Sequence, residues 1–198
     1  SRVGPTVICG ALAAFVTSTA VSCYALADHS QYLRPVERKA ASVAGTVLAG
    51  SAVLRALAFL APRSSKITMA DWAMLAVNMI ASTANLLMAA YPTPILVDPI
   101  TGTHQYYVRW CEWTVLAFLM TFVVEGVSAF SVWDPLSLAV LMGLSAGCGL
   151  AFPFCTNYWV WALVMAFSFL TYGALFPRLV RRYHLYNESV EACTSPED

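Results

Sequence analysis

From Pro135 to Pro177 the chain runs for 43 residues without one charged side chain. A water-soluble helix keeps a polar face toward its solvent, so a stretch this long and this apolar requires a solvent that is itself apolar. As one helix it would extend about 65 Å at about 1.5 Å per residue, twice the hydrocarbon thickness of a bilayer. It must therefore fold back on itself. Pro153, Thr156 and Asn157 mark the break and predict two helices, over about 134–152 and 157–177.

The rest of the chain reads the same way. Residues 3–27 carry no charge, the stretch 40–62 carries only Arg55 near its far end, and 72–91 carries none. A fourth span, about 106–125, contains Arg109 and Glu112 in its first turns. Together these predict an extra helix over 5–27 and five more over 40–62, 72–91, 106–125, 134–152 and 157–177. In lipid each segment must satisfy its own backbone hydrogen bonds, so the expected fold is an all-α polytopic membrane bundle of six transmembrane helices within 1–182. Only 11% of the residues are charged, against about a quarter in soluble domains, which agrees.

Residues 92–105 contain Asp98-Pro99-Ile100-Thr101-Gly102, a tight-turn sequence that predicts a small hairpin. The first apolar run ends in Ala27-Asp28-His29 rather than at a small-residue cleavage site, so it reads as a retained helix rather than a signal peptide. The chain opens on Ser1, not Met, and is expected to be processed or part of something longer. Its end, 183–198, holds Glu188, Glu191, Glu197 and Asp198 and reads as a polar tail or linker.

Eleven basic and eleven acidic residues leave no net charge and no basic stripe, so nucleic acid is not an expected partner. The expected partners are the lipid bilayer and further helices or membrane subunits. Six spans put both termini on one side, together with Arg2, Arg55, Arg63, Lys66, Arg178, Arg181 and Arg182, against Arg34, Arg38 and Lys39 on the other. The basic excess predicts both termini in the cytosol.

Six scattered cysteines form no Cys-x-x-Cys pair, and no histidine stands at metal-ligand spacing, so no metal site is expected. No phosphate loop, nucleophile elbow or catalytic carboxylate pair is present, and an enzymatic role is not expected of these residues. The seven methionines read as packing filler. Gly45 and Gly50, with Ala41, Ala49 and Ala52, give the second span a small-residue face for close packing. Glu125 falls at the end of its span and is expected to be a solvated helix terminus.

Arg109 and Glu112, three residues apart, share a helix face flanked by Trp110 and Trp113. Ionisable groups inside a membrane are costly and tend to face the bundle interior. The pair is either a self-compensating ion pair or a carboxylate kept ionised to face a buried cation.

Arg109-Trp110-Cys111-Glu112-Trp113 resembles the third core helix of the microbial (type I) rhodopsins. There an Arg-aromatic-x-acid-Trp motif supplies the Schiff-base counterion and one wall of the retinal pocket. Gly147-Cys148-Gly149-Leu150 is similar to the Gly-x-Gly-Leu run of the fourth core helix, and Trp159-Val160-Trp161-Ala162, with Ser168, to the fifth. The first span would then be a helix added before the core, as in the eight-helix eukaryotic rhodopsins fused to cyclase or phosphodiesterase domains. The resemblance covers about residues 38–182 and implies a retinal cofactor near Arg109, Glu112, Trp113, Gly149, Trp161 and Ser168.

The departures shape the expectation. The family's retinal is carried by a lysine in its last core helix, whereas the only lysines here, Lys39 and Lys66, lie at helix ends or loops. The last two core helices have no counterpart. The position eleven after Glu112, an internal proton donor in the pumps, is Val123, and the pumps' helix-three threonines and proline are replaced by Leu116, Ala117 and Phe118. The resemblance thus implies the first part of a photosensory domain that is not a proton pump, with its lysine supplied from elsewhere. The alternative is a pigment-free, rhodopsin-derived structural or assembly subunit of a larger membrane complex.

Overall fold

A computed structural model describes residues 3–60, 68–126, 133–178, 180, 181 and 184. Among them are six α-helices: α1 (Val3–Ala25), α2 (Pro35–Leu60), α3 (Met69–Ala90), α4 (Tyr107–Gly126), α5 (Trp133–Gly147) and α6 (Tyr158–Gly173). Three short strands, β1 (Ser30–Gln31), β2 (Thr93–Val97) and β3 (His104–Tyr106), lie between them. The expected tail 183–198, apart from His184, and the basic residues Arg2, Arg63, Lys66 and Arg182 fall outside the described residues.

Local chemistry explains the helix starts. α2 begins five residues before the apolar run at 40, with Pro35 in its first turn, where a fixed φ is pre-organised for a helix and a missing N–H costs nothing. Glu37 accepts the Arg34 amide at 3.2 Å and stands in the positive first turn. A reading by hydropathy stops at such a charged turn because the turn lies at the edge of the lipid. Thr68 and Asp71 form a reciprocal capping box at the start of α3. Asn157 caps α6 by accepting the Trp159 amide at 2.8 Å.

Five segments are long and apolar enough to cross a bilayer, α6 together with its continuation to Arg178 among them; α5 is shorter, at 15 residues. Gly147, Gly149 and Pro153 loosen the chain into two 3-10 turns, Cys148–Leu150 and Phe152–Phe154. With about 2 Å of rise per residue, these turns bring the contour length of the segment to about 35 Å, enough for a crossing.

The core is organised on α3, where Ala73, Ala76, Ile80, Ala84 and Met88 are buried at three- and four-residue spacing. On α2, Ala41, Gly45 and Ala52 are buried, and a Cβ on Gly45 would stand 2.8 Å from Leu86 Cγ, so this close approach requires glycine. Gly50 does not share that role: nothing lies within 4 Å of the position its Cβ would take. α1 packs on α3 and α4 through Ile8, Ala11 and Phe15, and Ser22 Oγ lies 3.6 Å from Cys111 Sγ. α5 and α6 are joined by reciprocal bonds, Ser145 Oγ to the Ser168 carbonyl at 2.7 Å and Ser168 Oγ to the Ser145 carbonyl at 2.9 Å. Most of the remaining surface of α6 is uncovered, as at Trp159 and Leu170, both 74% exposed.

The hairpin forms between 92 and 105, with Ile95 opposite Tyr106 and Val97 opposite His104. Gly102 turns it at φ +69°, in the left-handed region, and donates to the Asp98 carbonyl at 2.8 Å. A third strand, β1, joins at Ser30 opposite Pro94; two residues are too few to register as a sequence period. One expectation is corrected outright. Glu125 is 5% exposed, not a solvated terminus. It lies eleven residues after Thr114, three turns along the same stripe of α4, so the helix turns it inward rather than to solvent.

Candidate functional site

α4 sorts its neighbours by angle, at about 100° per residue. Cys111 and Val115 face α1. Trp110, Thr114 and Phe118 face α5, lying against Gly149, Gly147 and Gly143. Arg109 and Glu112 face α3. Trp113, Met120 and Val124 form an uncovered stripe, 50%, 53% and 58% exposed, on the far side from α1. α1 therefore covers the outer side of α4 and leaves the Trp113 flank open.

Arg109 Nη1 and Glu112 Oε2 form an ion pair at 2.7 Å. The Glu112 side chain is 3% exposed and that of Arg109 30%. The second guanidinium nitrogen, Nη2, donates to Asn85 Oδ1 at 2.9 Å, and Asn85 Nδ2 donates to the Ala81 carbonyl at 2.7 Å. The ion pair on α4 is thus tied to α3 by one hydrogen bond, whose acceptor is itself oriented by a bond within α3.

On the other side of Arg109 a vestibule of about 360 Å³ opens, lined by Leu33, Glu37, Ala41, Asn85 and Tyr106. Tyr106 donates its hydroxyl to Glu37 Oε1 at 3.0 Å. Burial pushes the Tyr106 phenol above its ordinary pKa, and the bound Glu37 carboxylate adds to the rise. A larger apolar groove of about 690 Å³ lies on the opposite flank of α4, between α1 and α5. Arg109, Glu112 and Trp113 are not in its lining.

The other candidate residues are engaged elsewhere. Gly149 accommodates the Trp110 ring, which a Cβ at that position would strike. Trp110 is further held by its indole N–H, which donates to Gln105 Oε1 at 2.6 Å, and by an edge-to-face contact with Trp113 at 5.4 Å. Trp161 points its indole N–H at Asp98 in the hairpin, at 3.0 Å. Ser168 is bonded to Ser145. Of the six candidates, Arg109 and Glu112 are joined, Trp113 adjoins them on the open flank, and Gly149, Trp161 and Ser168 serve packing and helix clamps.

Two participants, Asn85 and Glu37, carry no expectation from the sequence, and Asp98, read there as a turn residue, also holds Trp161. For Asn85 a signal exists. Asn78, Ser82 and Asn85 recur at helical spacing inside an uncharged apolar run, and all three are buried. Asn78 donates to Ser51 on α2 at 3.1 Å, so this row joins α3 to α2 as well as to α4.

Two solved structures share this architecture. One is the transmembrane domain of Salpingoeca rosetta rhodopsin phosphodiesterase, at TM-score 0.65 and 18% identity over 87% of this chain and 65% of that one. The other contains that domain with its linker region, at TM-score 0.64 and 18% identity over 87% and 62%. No protein-family profile and no curated protein matches the sequence. The chain is an integral membrane helical bundle with the fold of a rhodopsin transmembrane domain, and it spans less than two-thirds of the length of the two solved chains.

Proposed function

We propose that this chain is the leading part of a rhodopsin-type photosensory membrane domain in which Glu112 faces the positive charge of a bound retinal. The observation that carries this reading is a buried carboxylate, paired with Arg109, beside the uncovered Trp113 flank of α4. Glu112 and Trp113 would hold one side of the chromophore, and retinal would supply light absorption and isomerisation. Lys39, the one lysine among the described residues, is exposed in the first turns of α2. The attaching amine comes from outside the described residues. Arg109 pairs with Glu112 inside the bundle, and a second cation brought to the Trp113 flank would share that carboxylate.

The bundle senses rather than pumps. Val123 stands where a donor acid would be needed, and Glu125, thirteen residues on, is turned about 140° round the helix from Glu112. Both termini lie in the cytosol, on the side favoured by the basic excess, with the hairpin outside. Further helices close the Trp113 flank, and the bilayer covers the rest.

The second reading is a pigment-free structural subunit. The packing duties of Gly149, Trp161 and Ser168 favour it, since each would otherwise be free to border a ligand. Adding all-trans retinal to the longest natural form of the protein separates the two. The photosensory reading expects a visible band that moves to the red in Glu112→Gln. No band from that protein would overturn it in favour of the structural subunit.

A further inference from the structure

The geometry points to Asn85 as a positioning residue that holds Arg109 against Glu112, and so sets the proton affinity of the buried carboxyl. This deepens the photosensory reading, yet concerns the polypeptide alone.

A guanidinium on a long side chain has many rotamers, and an ion pair within one helix uses only part of its planar fork. Here the fork is fixed from two sides. Nη1 meets Glu112 on its own helix, and Nη2 meets Asn85 Oδ1 on α3. Asn85 cannot offer its other end, because Nδ2 is already committed to the Ala81 carbonyl one turn earlier. The amide is therefore oriented with its acceptor toward Arg109, and at 4% exposure it has no water to turn to. Without that acceptor, the Glu112 contact alone opposes a turn of the guanidinium into the 360 Å³ vestibule, which Glu37 also lines.

The neighbours of Glu112 make this hold consequential. Packed against α4, the described residues of α1 carry no charge, and its titratable groups are the thiols Cys9 and Cys23 and the phenol Tyr24. α3 presents the neutral row Asn78, Ser82 and Asn85, its one charge, Asp71, being at the opposite end. α5 is uncharged from 135 to 147. On α4 itself the other titratable groups are Tyr107, Cys111 and, thirteen residues on at the far end, Glu125, and β2 contributes no charge. Beyond the vestibule stands Glu37, bonded to Tyr106. Arg109 is thus the cation on which the ionisation of Glu112 depends, and its placement depends on Asn85.

The test uses the full natural chain in lipid without added retinal, reading the Glu112 carboxyl by isotope-edited infrared titration, with Glu112→Gln identifying the band. Asn85→Leu keeps the volume and removes the acceptor; the midpoint is expected to rise by about one pH unit, tenfold in proton affinity. Asn85→Gln, which retains an amide oxygen, should recover most of that shift. A lower melting temperature with an unmoved midpoint would overturn the proposal, leaving Asn85 as packing. If Asn85→Leu does not fold, the Asn85–Arg109 contact is read in the unaltered protein by dipolar coupling between labelled side chains. Its presence supports the proposal, and its absence overturns it. Failure to form pigment would sink the photosensory reading while leaving this titration to decide on its own.

Discussion

Trp161 donates its indole N–H to the Asp98 carboxylate at 3.0 Å, across 63 positions of sequence, and so ties α6 to the hairpin between α3 and α4. Asp98 also accepts the amides of Ile100 and Thr101, at 2.9 and 3.3 Å, and is 2% exposed. One carboxylate therefore shapes the turn and fastens a helix to it.

Asp98→Ala is expected to cost about 3 kcal/mol, since hydrogen bonds to a charged group contribute about 1.5–3 kcal/mol each and their sum is not additive. Burial pushes the Asp98 carboxyl up, but bonds from Ile100, Trp161 and Thr101 outweigh it and hold it below its ordinary 3.8. A depressed folded value means that the stabilisation is complete above about pH 4 and disappears as pH falls through the folded value. Melting temperatures recorded across that range should decline more steeply for the unaltered chain than for Asp98→Asn.

Gly149 and Trp110 make a second pair to test. Gly149→Ala drives a methyl into the indole, and overpacking of this kind costs about 1–3 kcal/mol. Trp110→Leu, made in the same chain, should recover part of the loss by vacating the space. Equal melting temperatures for Gly149→Ala and the parent would show that the ring moves aside freely.

Arg109 and Glu112 should be strongly coupled. Breaking a buried pair by removing one partner costs about 3–5 kcal/mol, because a charge is left uncompensated. Arg109→Gln and Glu112→Gln are each expected to fall in that range, and the double variant well short of their sum. Chemical denaturation in detergent measures this cycle; additive losses would mean that solvent already screens the pair.

Sidedness is checked by single cysteines introduced into a cysteine-free background in sealed cells. Labelling at Ile100, in the hairpin turn, is expected from outside, and at His184 only after permeabilisation. External labelling at 184 would invert the topology.

The membrane character of the chain, the number of its long apolar segments and the fold they form were legible because lipid imposes simple demands: enough apolar length, and backbone bonds kept within the segment. The Arg109–Glu112 pair was legible because it is local, three residues along one helix. So was the hairpin, from its turn residues. The start of α2 was not, since Pro35 to Lys39 read as a charged loop until Glu37 is seen bonding the Arg34 amide.

What the sequence determined by itself is thus the solvent of this protein, the class of its fold and those contacts that close within one turn or one hairpin. Tertiary structure alone decided which way each helix is rotated. It set Trp110 on Gly149, Trp161 on Asp98, Ser168 on Ser145 and Asn85 on Arg109, and it buried Glu125. The reason is physical. In water a helix advertises its buried face by a polar side opposite, but lipid is as apolar as a helix interface, so a membrane helix is apolar all round and its facing is settled by packing and by scattered hydrogen bonds between helices.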